Sequence, residues 1–260
     1  METVEQTERL GATLSVGDSQ IPVQMDVPLG KVTLRRFLPV IRNLSNGFIE
    51  SGLEELRGSG KEISCKAGCG ACCRQLVPIS EAEAFDLRYL IDAMPEPERS
   101  KVISRFAEGI RTLSEVGFFE RLQAASSGTD ADYANAVNEY FGYGIACPFL
   151  ENESCSIHRS RPITCREYLV TSPAELCSRV DGEGINNVKH FFQVKEALIS
   201  LSRRLTDKQL PYVPLIQLME WTENNPDDSP EKSGSEWAQV FFGELAKFSA
   251  PPTNNPNRND

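Results

Sequence analysis

Eight cysteines fall in two short groups, and that distribution constrains the chain more than any other feature. Cys65, Cys69, Cys72 and Cys73 lie within nine residues, and Cys147, Cys155, Cys165 and Cys177 lie within 31. The 73 residues between the groups contain none. Eight in 260 residues is well below the density of a small disulfide-stapled scaffold. Crowded thiols in a reducing cytosol are metal ligands or redox groups more often than disulfides. Thiolate is a soft donor that suits zinc and iron–sulfur clusters, and four thiolates complete a tetrahedral zinc site or hold a cubane.

The spacing of Cys65, Cys69 and Cys72 lets their sulfurs return to a common point if the loop turns tightly. Gly68 and Gly70 are expected to permit that turn through positive φ. Adjacent Cys72 and Cys73 point in different directions, so one of them can reach a second metal or the distant group. Three ligands from the first group, with one or more from Cys147, Cys155, Cys165 and Cys177, fit better than a purely local site. Such a centre would tie the two halves of the chain together. Four thiolates around zinc or a [4Fe–4S] core leave a net charge of about −2. Arg74, Arg159, Arg161 and Arg166 flank the cysteines and can offset it.

Other candidates weigh less. His158, three residues after Cys155, has a chelating spacing, against the plainer reading of a surface histidine. His190, in VKHFF, reads as a structural residue within a helix. Ser172-Pro173-Ala174-Glu175 reads as a capping box that places Cys177 in the opening turns of a helix, where the dipole favours thiolate. Cys177 stands furthest from the other cysteines in sequence and is expected to matter least. Pro148 and Phe149 read as packing residues, and Asp181-Gly182-Glu183-Gly184 lacks the further ligands of a cation loop.

Around the cysteines the pattern is mostly α, with a small N-terminal β-hairpin. Residues 12–27 alternate as two short strands about a Gly-Asp-Ser turn. Leu34, Phe37, Leu38, Ile41, Leu44, Phe48, Leu53 and Leu56 mark one face of a 25-residue helix ended by Gly58 and Gly60. Ser80 to Glu83 is a capping box opening a helix toward Ala93. Val102, Phe106, Ile110 and Leu113 mark the next helix, and another starts near Asp130. Residues 146–176 read as irregular. Amphipathic helices are expected over 187–205, 213–223 and 236–248, with 224–235 as a polar linker. These readings divide the chain into an N-terminal hairpin and helix (1–59), a cysteine domain (60–184), C-terminal helices (185–250) and a disordered tail (251–260).

CKAGCGACC, then CPFLENESC and RPITCREY, carry a family pattern: C-x3-C-x2-C-C, C-P-F-L, another cysteine, and R-P-x-x-C-R-x-Y. Cys65, Cys69, Cys72 and Cys73 match its first part; Cys147, Pro148, Phe149, Leu150, Cys155, Arg161, Pro162, Cys165, Arg166 and Tyr168 match the rest. Over residues 60–180 the chain resembles the YkgJ-type cysteine-cluster family of zinc- or iron-chelating domains. The family usually carries tyrosine where this chain has His158. One branch is similar to flagellin lysine N-methylases, which implies a protein-modifying enzyme as one alternative. The residues themselves show no S-adenosylmethionine loop, since Gly142-Tyr143-Gly144 follows a helical pattern. No catalytic constellation stands out, and two histidines leave little general-base capacity.

The expected function is therefore that of a cytoplasmic metalloprotein holding zinc or an iron–sulfur cluster, with iron–sulfur slightly favoured. A zinc-stabilised module that docks a protein partner is the other alternative. The balance of 27 basic against 37 acidic residues, a net charge of −10, argues against nucleic acid or an anionic membrane as partner. No apolar run approaches a membrane span, and the N-terminus reads as lacking a secretory signal. Pro251–Asp260 has three prolines in ten residues and no apolar side chain able to pack. Its deletion should leave metal content and melting temperature unchanged; a lower melting temperature would show that the segment docks.

Overall fold

The computed structural model describes residues 6–16, 19–179, 182–205 and 212–249. The tail expected to be disordered lies outside them. Strands β1 (Thr7–Val16) and β2 (Ser19–Pro28) form an antiparallel hairpin, longer than its alternation suggested. The pairs Leu10↔Met25, Ala12↔Val23 and Leu14↔Ile21 put the apolar residues of both strands on one face. After β3 (Lys31–Val32), helix α1 (Leu34–Gly58) buries Leu34, Phe37, Leu38, Ile41 and Leu44 at the expected period.

The cysteine loop precedes β4 (Pro78–Ile79) and α2 (Glu81–Asp92), whose capping box forms as read. Helix α3 (Glu98–Glu115) follows. Helix α4 (Phe118–Ser126) was not foreseen: it is short, and Gly117 at φ 64° turns the chain sharply into it. Helix α5 (Asp130–Gly142) starts where its sequence indicates, capped by Thr129. The second cysteine stretch holds a two-residue hairpin, β5 (Leu150–Glu151) with β6 (Ser154–Cys155), and the short helix α6 (Ile163–Glu167).

Past the cysteines, the sequence reading needs correction. Residues 187–193 are extended and not helical, because they pair with distant backbone: Val170 bridges Asn187, and Phe192 bridges Ser249. His190 is therefore not on a helix; its Nε2 donates to the Glu167 carbonyl at 2.8 Å. Helix α7 (Val194–Leu205) begins only where the Glu167 carboxylate accepts from the Val194 and Lys195 amides, at 2.8 and 3.1 Å. Strand β7 (Val213–Pro214) pairs with β4 and delays α8 to Leu218–Asn224. The polar 224–235 stretch is more than a linker. Asp227 ion-pairs with Arg35 at 3.0 Å, and β8 (Lys232–Ser233) pairs with β3 before α9 (Gly234–Leu245).

The described residues thus form nine α-helices and four small antiparallel strand pairs around two apolar cores. The first core joins β2, α1, α7 and α9, with Trp237 donating its indole N–H to the Val32 carbonyl at 2.7 Å. The second joins α2 to α5 with β7 and α8. The cysteine segments lie between them: Ile163 belongs to the first core, and Leu76, Phe149 and Ile157 to the second. Among the described residues no helix is long and apolar enough to cross a membrane.

Glu83 is the joint of this arrangement. It is 2% exposed, and its Oε2 accepts from the Ser80 amide and hydroxyl, both at 2.9 Å, while its Oε1 accepts from the Ile163 amide at 2.8 Å. One carboxylate therefore caps α2 and fixes the start of α6. Glu83→Ala would remove the carboxylate half of the capping box and leave the buried Ile163 amide unpaired, a loss of about 2–4 kcal/mol. Chemical denaturation should show that loss, with Glu83→Gln, which retains one acceptor oxygen, falling between the two.

Candidate metal centre

The first cysteine group folds as a turn followed by a 3-10 turn. The Cys69 amide donates to the Lys66 carbonyl at 3.2 Å, with Gly68 at φ 83°, the left-handed conformation that favours glycine. Gly70 has an ordinary φ of −96°, so the expectation of positive φ is wrong there. Glycine is needed at 70 because the β5–β6 hairpin lies against it. A Cβ at this position would stand 2.5 Å from Glu153 Oε2, 2.8 Å from Leu150 Cδ1 and 3.2 Å from the Glu153 Cα. The hairpin turn itself places Asn152 and Glu153 at φ 49° and 57°, and Arg74 holds the Glu153 carboxylate at 2.7 and 3.0 Å.

This docking brings the two groups together. The Cys147 amide donates to the Cys73 carbonyl at 2.7 Å. Pro148 then sits second in a turn closed by the Leu150 amide on the Cys147 carbonyl, 2.8 Å. In that turn the Phe149 N–H points back to the Cys147 sulfur, and its ring packs edge-on against Phe106. Phe149 does pack as its sequence position suggested, but its amide also serves the site. The same arrangement recurs at Cys155, whose sulfur accepts from the Ile157 N–H, and at Cys65, whose sulfur accepts from the Val170 N–H. These amides favour thiolate, the form that binds a metal.

Cys72 is the common neighbour. Cys65 faces Cys69 and Cys72, and Cys177 faces Cys65, Cys69 and Cys72. Cys147 faces Cys155 and Cys72, while Cys165 faces Cys147, Cys155 and Cys72. The Cys72 S–H donates to the adjacent Cys73 sulfur. Burial is the largest influence on Cys65, Cys147, Cys155, Cys165 and Cys177, and it raises each thiol; Cys147 is pushed up to about 12. On Cys72 the hydrogen bond to Cys73 acts in the same direction and outweighs burial.

Cys177 departs most from its sequence reading. It lies near the end of a 3-10 turn, Ala174–Ser178, and no capping box forms. Ser172 Oγ is taken instead by the Asn186 amide, at 3.1 Å. No helix dipole lowers this thiol, which is raised. Although furthest out in sequence, Cys177 is the buried one of the eight, and the Tyr168 hydroxyl donates to its sulfur. Tyr168 is held in turn by Gln75 Nε2, at 3.2 Å.

The arginines divide. Arg74 is engaged by Glu153. Arg166, 7% exposed, clamps the preceding turn through the Arg159 and Arg161 carbonyls and reaches Asn46 Oδ1 at 2.9 Å. Arg161 faces Cys65, Cys72, Cys155 and Cys165. The exposed His158 is held below the usual imidazole range, chiefly by the Arg161 charge, and none of the thiols above has it as a neighbour.

Among the described residues no three His, Cys, Asp or Glu side chains already converge to hold an ion. The donor set nevertheless fits zinc or iron: eight free thiols, five of them around Cys72, backbone N–H donors from other residues on the sulfurs of Cys65, Cys147 and Cys155, and the Arg161 cation near four of the thiols. A cavity of about 890 Å³ lies elsewhere, between β2, α1 and Phe191–Phe192, and no cysteine lines it.

A family model named CxxCxxCC and described as "Putative zinc- or iron-chelating domain" matches residues 64–193, half of the chain and the part holding all eight cysteines. No curated protein and no solved structure matches it. The close approach at Gly70 can be checked against a glycine that lacks one. Gly70→Ala should destabilise the protein by about 1–3 kcal/mol through overpacking. Gly47→Ala, on α1 with nothing within 4 Å of the added Cβ, should stabilise it by about 0.5–1 kcal/mol. Thermal melts of the two variants should shift in opposite directions.

Proposed function

Because the chain belongs to the CxxCxxCC family of zinc- or iron-chelating domains, we propose that its eight cysteines form one metal-binding region centred on Cys72, whose metal holds the two cysteine blocks together. The gathering of five thiols around Cys72 carries this reading. Cys65 of its own block and Cys147, Cys155, Cys165 and Cys177 of the other neighbour it, with Cys73 adjacent. Ligation from both blocks would cross-link segments separated by 73 residues. Structural metal binding is folding free energy, so the role is first of all architectural. Loading also deprotonates thiols that burial keeps neutral, so rotation of their side chains toward a common point accompanies proton release.

The iron–sulfur alternative is supported by the N–H donors to Cys65, Cys147 and Cys155 and by Arg161. Such hydrogen bonds and cations stabilise a cluster's sulfurs. The measurement that decides is metal and acid-labile sulfide analysis of protein purified without oxygen. Brown protein with sulfide supports a cluster, and colourless protein with stoichiometric zinc supports zinc. Cys72→Ser should lose most of the bound metal in either case and lower stability by several kcal/mol. Cys177→Ser should lose metal as well. Cys72→Ser protein with full metal content and an unchanged melting temperature would overturn the shared centre.

A further inference from the structure

Of the charged groups around the thiols, Arg161 has its Nε buried without a hydrogen-bond partner. A guanidinium N–H left unpaired inside a protein is unfavourable, and such groups are normally satisfied. Two neighbouring arginines are satisfied otherwise: Arg74 by Glu153 and the Gly70 carbonyl, and Arg166 by two backbone carbonyls and Asn46. Arg42 also has a buried Nε without a partner, but its Nη2 ion-pairs with Asp86 at 2.6 Å. Arg161 instead faces thiols from both cysteine blocks: Cys65 and Cys72 of the first, Cys155 and Cys165 of the second.

Its backbone is held in place independently of any metal. Arg166 Nε donates to the Arg161 carbonyl at 2.9 Å, and Pro162 follows, leading into α6, which Glu83 anchors through Ile163. Burial, and then the charges of Arg42 and Arg161, disfavour the charge on Arg166, against Glu83 and Cys165, which favour it. Four thiolates around zinc or a cubane would bring about two net negative charges into this half-buried place. Charge of that sign is what Arg161 lacks.

Resting on the metal-centre reading above, we propose that Arg161 is a positioning residue of that centre: its guanidinium donates N–H to the thiolate sulfurs of both cysteine blocks and offsets their charge. The residue would then be poorly satisfied in the metal-free chain and satisfied in the loaded one, so its contribution appears in metal affinity and not in the stability of the empty fold.

The test compares Arg161→Gln, Arg161→Lys and Arg111→Gln with the parent and with Cys72→Ser in the full chain. Zinc and ferrous iron affinities would be measured by chelator competition at fixed pH and ionic strength, alongside the melting temperature of metal-stripped protein. Arg161→Gln should bind metal about 10–100-fold more weakly with no fall in the metal-stripped melting temperature. Arg161→Lys, which retains the charge, should recover part of that loss, and Arg111→Gln, at an exposed arginine of α3 paired with Glu115, should match the parent. Parent-like affinity in Arg161→Gln, with metal lost from Cys72→Ser, would overturn the role of Arg161 and leave the centre standing. An equal drop in the metal-stripped melting temperature would make Arg161 a structural residue and overturn the proposal. Parent protein that takes up neither metal, and forms no cluster when ferrous iron and sulfide are supplied without oxygen, would overturn both readings.

Discussion

The site depends on two hydrogen bonds that span the sequence. The Cys147 amide on the Cys73 carbonyl, 2.7 Å, joins the cysteine blocks directly. The Ile163 amide on Glu83, 2.8 Å, seats the helix that carries Cys165. Glu83 spends its other oxygen on the N-terminus of α2, so helix capping and site assembly share one buried carboxylate. Because a buried amide without a partner is costly, neither bond can be lost without loosening the cysteines. The two cores grip this layer from both sides through Ile163 on one and Leu76, Phe149 and Ile157 on the other.

Opposing electrostatic influences meet at the thiols. Burial and mutual proximity favour the neutral S–H, while the amides of Phe149, Ile157 and Val170 and the charge of Arg161 favour thiolate. Without a metal, burial prevails at Cys65, Cys147, Cys155, Cys165 and Cys177, whose thiols are raised. A dication adds a strong attraction for thiolate, and the groups already in place then work with it. Metal and four thiolates together would carry a net charge of about −2, which the Arg161 cation and the three amides would partly offset.

Much of the scaffold was legible in the chain. The hairpin, α1 and the capping boxes at Ser80 and Thr129 depend on periodicity and on contacts within a few residues, so local pattern suffices. The Ser80 box formed and the Ser172 box did not, although both have the right letters. Ser172 Oγ is claimed by Asn186, fourteen residues on, a competitor that a four-residue pattern does not contain. The extended run 187–193 misled for the same reason: its partners, Val170 and Ser249, are distant. Gly70 shows the converse. Its glycine was noticed, but the reason is the approach of Leu150 and Glu153 rather than its own φ.

By itself the sequence determined the chemistry: eight soft donors in two blocks, flanked by arginines, within a family of zinc- or iron-chelating domains. Ligand type follows from residue identity, and tight spacing within a block follows from covalent connection. Tertiary structure alone decided that Cys72 is the common neighbour, that the outlying Cys177 joins Cys65 and Cys69, and that Arg161 neighbours thiols of both blocks while Arg74 and Arg166 each neighbour one. Those outcomes depend on which backbone carbonyl and which carboxylate a distant amide finds, and such partners are brought within reach only when the two cores close around the cysteine layer.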